Sequence, residues 1–392
     1  MMRFIHTADL HIGKSLGNVS LHDEQENILN QIVQIAVDKK VDGIFICGDV
    51  YDYSNPSADS VFLFDRFLTN LFTHKISVYL ISGNHDSAYR LGFGNQIFGK
   101  QNIHISGGFK GSVPNIVLKD EYGTLVIHLL PFIKPEEVKI HFPDSEIKSF
   151  NDAVQMVIST IKIKKSTRNV LLAHQFVVSE ESQPIRSESE IVSVGGTDMI
   201  SSDIFSAFDY VALGHLHGAQ KVGKETIRYS GSPLKYSFSE CKQKKSLVLI
   251  DFKEKGNVEY ELLPLIPKHD MREIRGPYLQ LISDEVVNNP DASPDDYLRV
   301  ILTDKFGSYD NPYHELQKKY PNLLNMVYES DLQSSPEQMY VPTGISMSNN
   351  PVDIFCDFFH HVHASRDWKM TPEMKNIVQD TFDEVMGEDY EN

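Results

Sequence analysis

An α/β fold with stacked sheets and covering helices is predicted for residues 1–265 of this 392-residue chain, followed by a small α+β unit and a helical tail. Three observations predict it. Short apolar runs alternate with segments of helical periodicity, a proline-rich break follows, and two amphipathic stripes close the chain. Phe4-Ile5-His6 opens the first strand, and Ile28, Ile32, Ile35 and Ala36 recur at helical spacing through 23–38. Gly43-Ile44-Phe45-Ile46-Cys47 is a short buried-type strand. A helix carrying Phe62, Phe64, Phe67, Leu68 and Leu71 comes next, then the strand Ile76 to Ser82. The runs 125–128, 170–173 and 210–213 continue the pattern, and 246–252 with 258–263 form a hairpin around Lys255-Gly256-Asn257.

Leu263-Pro264-Leu265-Ile266-Pro267 punctuates the chain, because proline disfavours regular structure on both sides. Residues 268–330 are expected to hold strands near 278–282, 297–302 and 323–328 and a helix near 311–319. Residues 331–350, with Pro336, Pro342 and Gly344, read as a linker. In 351–392, Ile354, Phe355, Phe358, Phe359 and Val362 form one stripe, and Met374, Ile377, Val378, Phe382 and Val385 form another. The second starts at Thr371-Pro372, a cap followed by proline at the first helical position. Such helices either pack on their parent domain or dock on a partner; the linker and the dense phenylalanines favour docking.

The composition, 41% hydrophobic and 23% charged, is too apolar for disorder and too charged for a membrane bundle. Neither a secretory signal nor a membrane span is seen, so a cytoplasmic protein is expected. Cys47, Cys241 and Cys356 are too few and too scattered for a disulfide framework or a zinc knuckle. The net charge of −17 alone argues against a nucleic-acid partner. Residues 341–392 carry −7 of it, however, and bound divalent cations reverse a local field.

Chemistry collects at strand ends. Asp9-Leu10-His11 follows the first strand, Gly48-Asp49-Val50-Tyr51-Asp52 the second and Gly83-Asn84-His85-Asp86 the third. His174 and Gly214-His215-Leu216-His217 follow the strands at 170 and 210. Ligand sites in α/β sheets gather at the carboxyl ends of strands. Mixed carboxylate, imidazole and amide-oxygen donors suit first-row divalent ions, manganese above all, and the lack of cysteine argues against a structural zinc site. A carboxylate bridging two ions should come from a central strand, which favours Asp49.

In this order the five motifs resemble the calcineurin-like metallophosphoesterase superfamily. The runs 5–13, 82–86 and 229–237 are similar to the nuclease subunits of bacterial SbcCD complexes. The resemblance implies a four-layer sandwich of two β-sheets flanked by helices over 1–265, and a capping domain at 268–330. It implies two divalent metal ions, Mn²⁺, one held by Asp9, His11, Asp49 and His217 and the other by Asp49, Asn84, His174 and His215. His85 is then the catalytic histidine that is not a ligand, and Asp86 a group that orients it. Asp52 stands where some relatives carry histidine. The implied activity is double-strand 3′–5′ exonuclease and single-strand or hairpin endonuclease on DNA. The implied assembly is a homodimer, through helices near 60–72 and 84–98, within a heterotetramer. Its partner is the ATPase SbcC, docked on the tail helices. Lys14, Arg90, Arg186 and Lys221 flank the motif loops as candidate DNA contacts, although a solvated charged face explains each equally well. A phosphatase or small-molecule phosphodiesterase on the same fold, and a non-catalytic scaffold, are the alternatives. Tyr53 after Asp52 and Asp86 after His85 speak against a phosphoprotein phosphatase, and the competent donor at every ligand position speaks against a scaffold.

Overall fold

In chain order the first unit, residues 1–271, lays down β1 (Met2–Thr7), α1 (His22–Asp38), β2 (Gly43–Cys47), α2 (Ala58–Thr73), β3 (Ser77–Ile81), β4 (Ile103–Ser106), β5 (Asn115–Asp120) and β6 (Gly123–Leu130). There follow α3 (Pro135–His141), α4 (Phe150–Ser159), β7 (Arg168–His174), β8 (Tyr210–Gly214), β9 (Gln220–Val222), β10 (Lys224–Tyr229), β11 (Ser246–Phe252) and β12 (Val258–Pro264). The computed structural model describes residues 1–179, 184–190, 198–290, 292–333, 355, 359 and 370–388. Its strands form two six-stranded sheets, in the orders β12-β11-β1-β2-β3-β4 and β9-β10-β8-β7-β6-β5.

Alternation along the strands explains why the sheets stack. Phe4, Phe45, Tyr79 and Ile81 of the first sheet meet Leu125, Ile127, Leu129, Val170, Leu172, Tyr210 and Ala212 of the second in one core. The opposite face of the second sheet, with Leu171, Ala173, Val211 and Leu213, is covered by Val138 of α3 and by Val154 and Val157 of α4. Helix α4 starts at a Ser149–Asp152 capping box, and α2 starts at the Ser57 hydroxyl, which accepts from the Ser60 amide. β1, β2 and β3 run parallel, as do β7 and β8, so the loops after these five strands carry all five motifs.

The second unit, residues 272–392, contains the sheet β13-β14-β15 (Met271–Gly276, Tyr297–Leu302, Leu323–Tyr328), the helix α5 (Pro312–Lys319) and the helix α6 (Pro372–Glu388). The strand expected near 278–282 is instead a short helix, Tyr278–Leu281, and the strand lies just before it. Pro277 is the reason: it has no N–H for a ladder, and the Tyr278 amide after it donates to the Asp304 carboxylate at 2.6 Å. At α6 the Thr371 hydroxyl accepts from the Met374 amide at 3.2 Å, as the Thr-Pro start predicts. Most of the 351–362 stripe and the 334–350 linker fall outside the described residues, as do Cys356 and the Phe382 and Val385 side chains. No helix among the described residues is long and apolar enough to cross a membrane.

One polar group sits deep between the sheets. His6 of β1 bridges to the Tyr210 hydroxyl at 3.1 Å and the Leu213 carbonyl at 3.1 Å on β8. Burial pushes its pKa down to about 3. The unfolded chain protonates this ring near its ordinary value of 6.5, so its contribution to stability is complete above that pH and is lost as pH falls toward 3. His6→Gln is expected to flatten the acid side of the stability profile, measured as urea midpoint against pH.

Candidate metal centre

The parallel strands deliver their last residues to one point. Asp9 and His174 are fully buried, and His11, Asp49 and His217 nearly so. Asp9, His11 and His217 each bring a ligand atom within 4.8 Å of the others, and so do Asp9, Asp49 and His174. Asp49 lies between the two groups, its carboxylate 3.7 Å from His11 Nε2 and 3.3 Å from His174 Nε2. The Asn84 amide oxygen is 3.0 Å from both His174 Nε2 and His215 Nδ1. The seven residues expected as ligands are therefore brought together.

Local backbone chemistry explains how they converge. Asp9, His11, Asp49 and His215 all have positive φ, at 54°, 44°, 49° and 109°. Non-glycine residues adopt this region rarely, and it clusters at functional sites. Main-chain bonds hold the turns: Asp9 N donates to the Gly48 carbonyl at 3.0 Å, and His11 N to the Asp49 carbonyl at 3.0 Å. Gly83 is required by close approach, since a Cβ there would run into the Asp49 carboxylate and backbone nitrogen. The Asp49 carboxylate in turn accepts from the His85 amide at 2.9 Å.

The electrostatics call for a cation. Burial, with the Asp49 charge, drives the Asp9 carboxyl well above its ordinary range, although His174 and the His215 amide oppose this. Burial works against ionisation of Asp49 too, but the facing His174, with His11 and His85, outweighs it and holds Asp49 low. Burial also acts to lower His174, yet Asp49 and Asp9 push it up to about 9. Burial brings His11 down to about 4 and His215 to about 3, so both rings are neutral with a free lone pair. His11 Nε2 is buried and has no hydrogen-bond partner. Buried carboxylates, neutral imidazoles and an unpartnered ring nitrogen fit a divalent metal ion.

Each of three histidines is held from behind. His174 Nδ1 meets the Cys47 carbonyl at 2.7 Å, and His11 Nδ1 the Asp52 carboxylate at 3.2 Å. His217 Nδ1 meets the Ser189 hydroxyl at 2.8 Å and Glu240 at 3.3 Å. Ser189, Glu190, Glu240 and Lys245 leave no mark in the sequence pattern, because they support the motifs from outside them. The segment Ser239-Glu240-Cys241-Lys242-Gln243-Lys244-Lys245 is polar between strands, yet the Glu240 and Lys245 charges are almost entirely buried, a fact only the structure supplies.

One expectation changes. Asp86 does not orient His85: its carboxylate accepts from the Gly83, Val50 and Tyr51 amides at 2.9, 3.1 and 3.0 Å, clamping the β2 loop to the β3 loop. The His85 ring is held by the Asp52 carbonyl, 2.8 Å from Nδ1. Asp52 is a support for His11, shared with Lys14, whose Nζ lies 3.0 Å away. Of the other candidate DNA contacts, Arg90 donates to Asn55, Lys221 pairs with Glu225, and Arg186 lies over the Phe176 ring at 3.7 Å. Phe176 in turn stands 6.3 Å from the His215 ring, so Arg186 borders the site.

Comparison with known proteins bears on this geometry. The sequence profile of calcineurin-like phosphoesterases matches residues 2–219, a span that contains every candidate ligand. The chain belongs to that family. As a member it is a metal-dependent hydrolase of phosphate esters. This phosphoesterase is 31% identical over 335 residues to the SbcD subunit of the nuclease SbcCD from Staphylococcus epidermidis, covering 84% of this chain and 86% of the relative. Among solved structures, a dimetal phosphatase from Danio rerio aligns with a TM-score of 0.42 at 11% identity, over 68% of this chain and 97% of that one.

The clamp assigned to Asp86 is testable. Asp86→Ala is expected to cost about 1–3 kcal/mol of stability by leaving three amides without their acceptor. It should lower hydrolysis of a phosphodiester without changing the shape of its pH profile, whereas Asp86→Asn, which keeps an acceptor, should be milder in both.

Proposed function

We propose that this phosphoesterase is a two-metal DNA nuclease subunit acting with an SbcC-type ATPase. What carries the reading is the 31% identity to the SbcD subunit of SbcCD, spread over 84% of the chain, with Asp9, His11, Asp49, His174 and His217 clustered at the phosphoesterase motifs. The substrates are DNA ends and hairpins, cut by 3′–5′ exonuclease and single-strand endonuclease chemistry in DNA repair and recombination. Manganese is the metal, since mixed oxygen and imidazole donors suit it. The residues 268–330 are a capping domain, and the 354–362 stripe together with α6 is the contact for the ATPase, in the cytoplasm.

Asp9, His11, Asp49 and His217 would hold one ion, and Asp49, Asn84, His174 and His215 the other. When bound, such ions neutralise the phosphodiester and acidify water for in-line attack. His85 is more exposed than the buried ligands. Because the Asp52 carbonyl can only accept, His85 Nδ1 carries a proton, and acid–base exchange is left to Nε2. From there His85 protonates the leaving oxygen or steadies charge developing on the phosphate.

Exposed Phe62, Tyr89, Phe93 and Ile97 lie on the segments expected to form a homodimer. Sedimentation should show a dimer that Phe93→Asp weakens.

The activity test is cleavage of an end-labelled duplex and a hairpin in Mn²⁺, with and without the ATPase and ATP. His85→Gln should keep metal uptake and lose about 10²–10⁴-fold in rate. Hydrolysis of a small phosphodiester with no cleavage of DNA would overturn the substrate reading and leave the fold and metal assignments standing.

A further inference from the structure

The supports behind the histidines are of two kinds. His11 Nδ1 faces the carboxylate of Asp52, which is itself paired with Lys14 at 3.0 Å. His217 Nδ1–H is shared between the Ser189 hydroxyl and Glu240, and the Ser189 hydroxyl donates onward to Glu240 at 2.6 Å. Glu240 is fully buried and paired with Lys245 at 2.6 Å. Lys245 Nζ also reaches the His217 carbonyl, the Ser232 hydroxyl and Gln243 at 2.9, 2.9 and 2.8 Å, while Glu190 takes the His217 amide at 2.7 Å. His217 is thus gripped at its amide, its carbonyl and its ring. His174, by contrast, is backed by the neutral Cys47 carbonyl at 2.7 Å.

A carboxylate behind an imidazole fixes the tautomer, steadies the ring and raises its basicity as a ligand more than a carbonyl does. A lysine lies beside each carboxylate and fixes its position, Lys14 at 3.0 Å from Asp52 and Lys245 at 2.6 Å from Glu240. We propose that the two metal positions are unequal by construction. The position bounded by Asp9, His11 and His217 takes its ion first and holds it more tightly, and Glu240, held by Lys245 and extended by Ser189, is the positioning residue that makes it so. The other position exchanges its ion readily. This rests on the two-ion reading above and adds an order of filling to it.

The experiment is titration of the metal-free full chain with Mn²⁺, followed by calorimetry and by the resonance of free Mn²⁺. The native protein should bind one ion, then a second at least tenfold more weakly. His174→Ala should remove the weak step and leave the strong one, which assigns them. Glu240→Gln, nearly isosteric, should weaken the strong step about 10–100-fold and draw the two steps together. Ser189→Ala, which leaves the buried ion pair intact and guards against a folding defect in the first variant, should weaken the same step by less. Two equal steps in the native protein, or variants in which both steps weaken alike or neither moves, would overturn the proposal. Fewer than two ions on the native protein would instead remove the two-ion reading beneath it, a result visible before any variant is made.

Discussion

Two buried carboxylates placed side by side are the constraint around which this molecule is arranged. Asp9 and Asp49 follow adjacent parallel strands, and neither has more than a trace of exposure. Ionised and alone they would repel one another in a medium that screens poorly. Among the described residues the surroundings answer with imidazoles rather than with lysine or arginine in direct contact, and a lysine stands one residue further out, behind Asp52 and behind Glu240. A permanent side-chain cation against the two aspartates would satisfy the charge and exclude a metal. Keeping the cations one step back leaves the charge to be met by something that arrives from solution.

Geometry follows from the same constraint. A sheet can place two side chains side by side, but five motifs meet only where two sheets come together with their strand ends at one rim. The apolar core of Phe4, Phe45, Leu125, Ile127, Leu129 and Tyr210 sets the spacing between the sheets. His6, close before Asp9 in the chain, pins β1 to β8 beneath the site. The left-handed residues at 9, 11, 49 and 215 are then the means by which chains leaving the sheets turn their side chains inward. Their backbone strain is sustained by the packing beneath them.

Much of this was legible in the order of residues. Short apolar strands followed by Asp, Asn or His announced the α/β core and the rim at which candidate donors gather, because strand burial and ligand chemistry leave opposite marks on composition, while the division of those donors between two ions came only from the family resemblance. What stayed hidden has a common character. Asp86 looked like a partner for His85 because it follows it, yet the turn at Gly83 points its carboxylate back at three amides. Ser189, Glu190, Glu240 and Lys245 approach from segments without a motif, and only tertiary packing makes their charges buried. The strand misplaced near 278–282 failed for a local reason, the missing N–H of Pro277, which outweighed the apolar pattern after it.

The pairing of β1 carries a consequence for how the protein is made. Its first strand is flanked on one side by β2, available early, and on the other by β11, residues 246–252. The last support of the site, Lys245, leaves the ribosome just ahead of that strand. A nascent chain therefore carries Asp9 and His11 through the synthesis of more than two hundred further residues before their sheet can close. Completion of the site is a late event by topology alone.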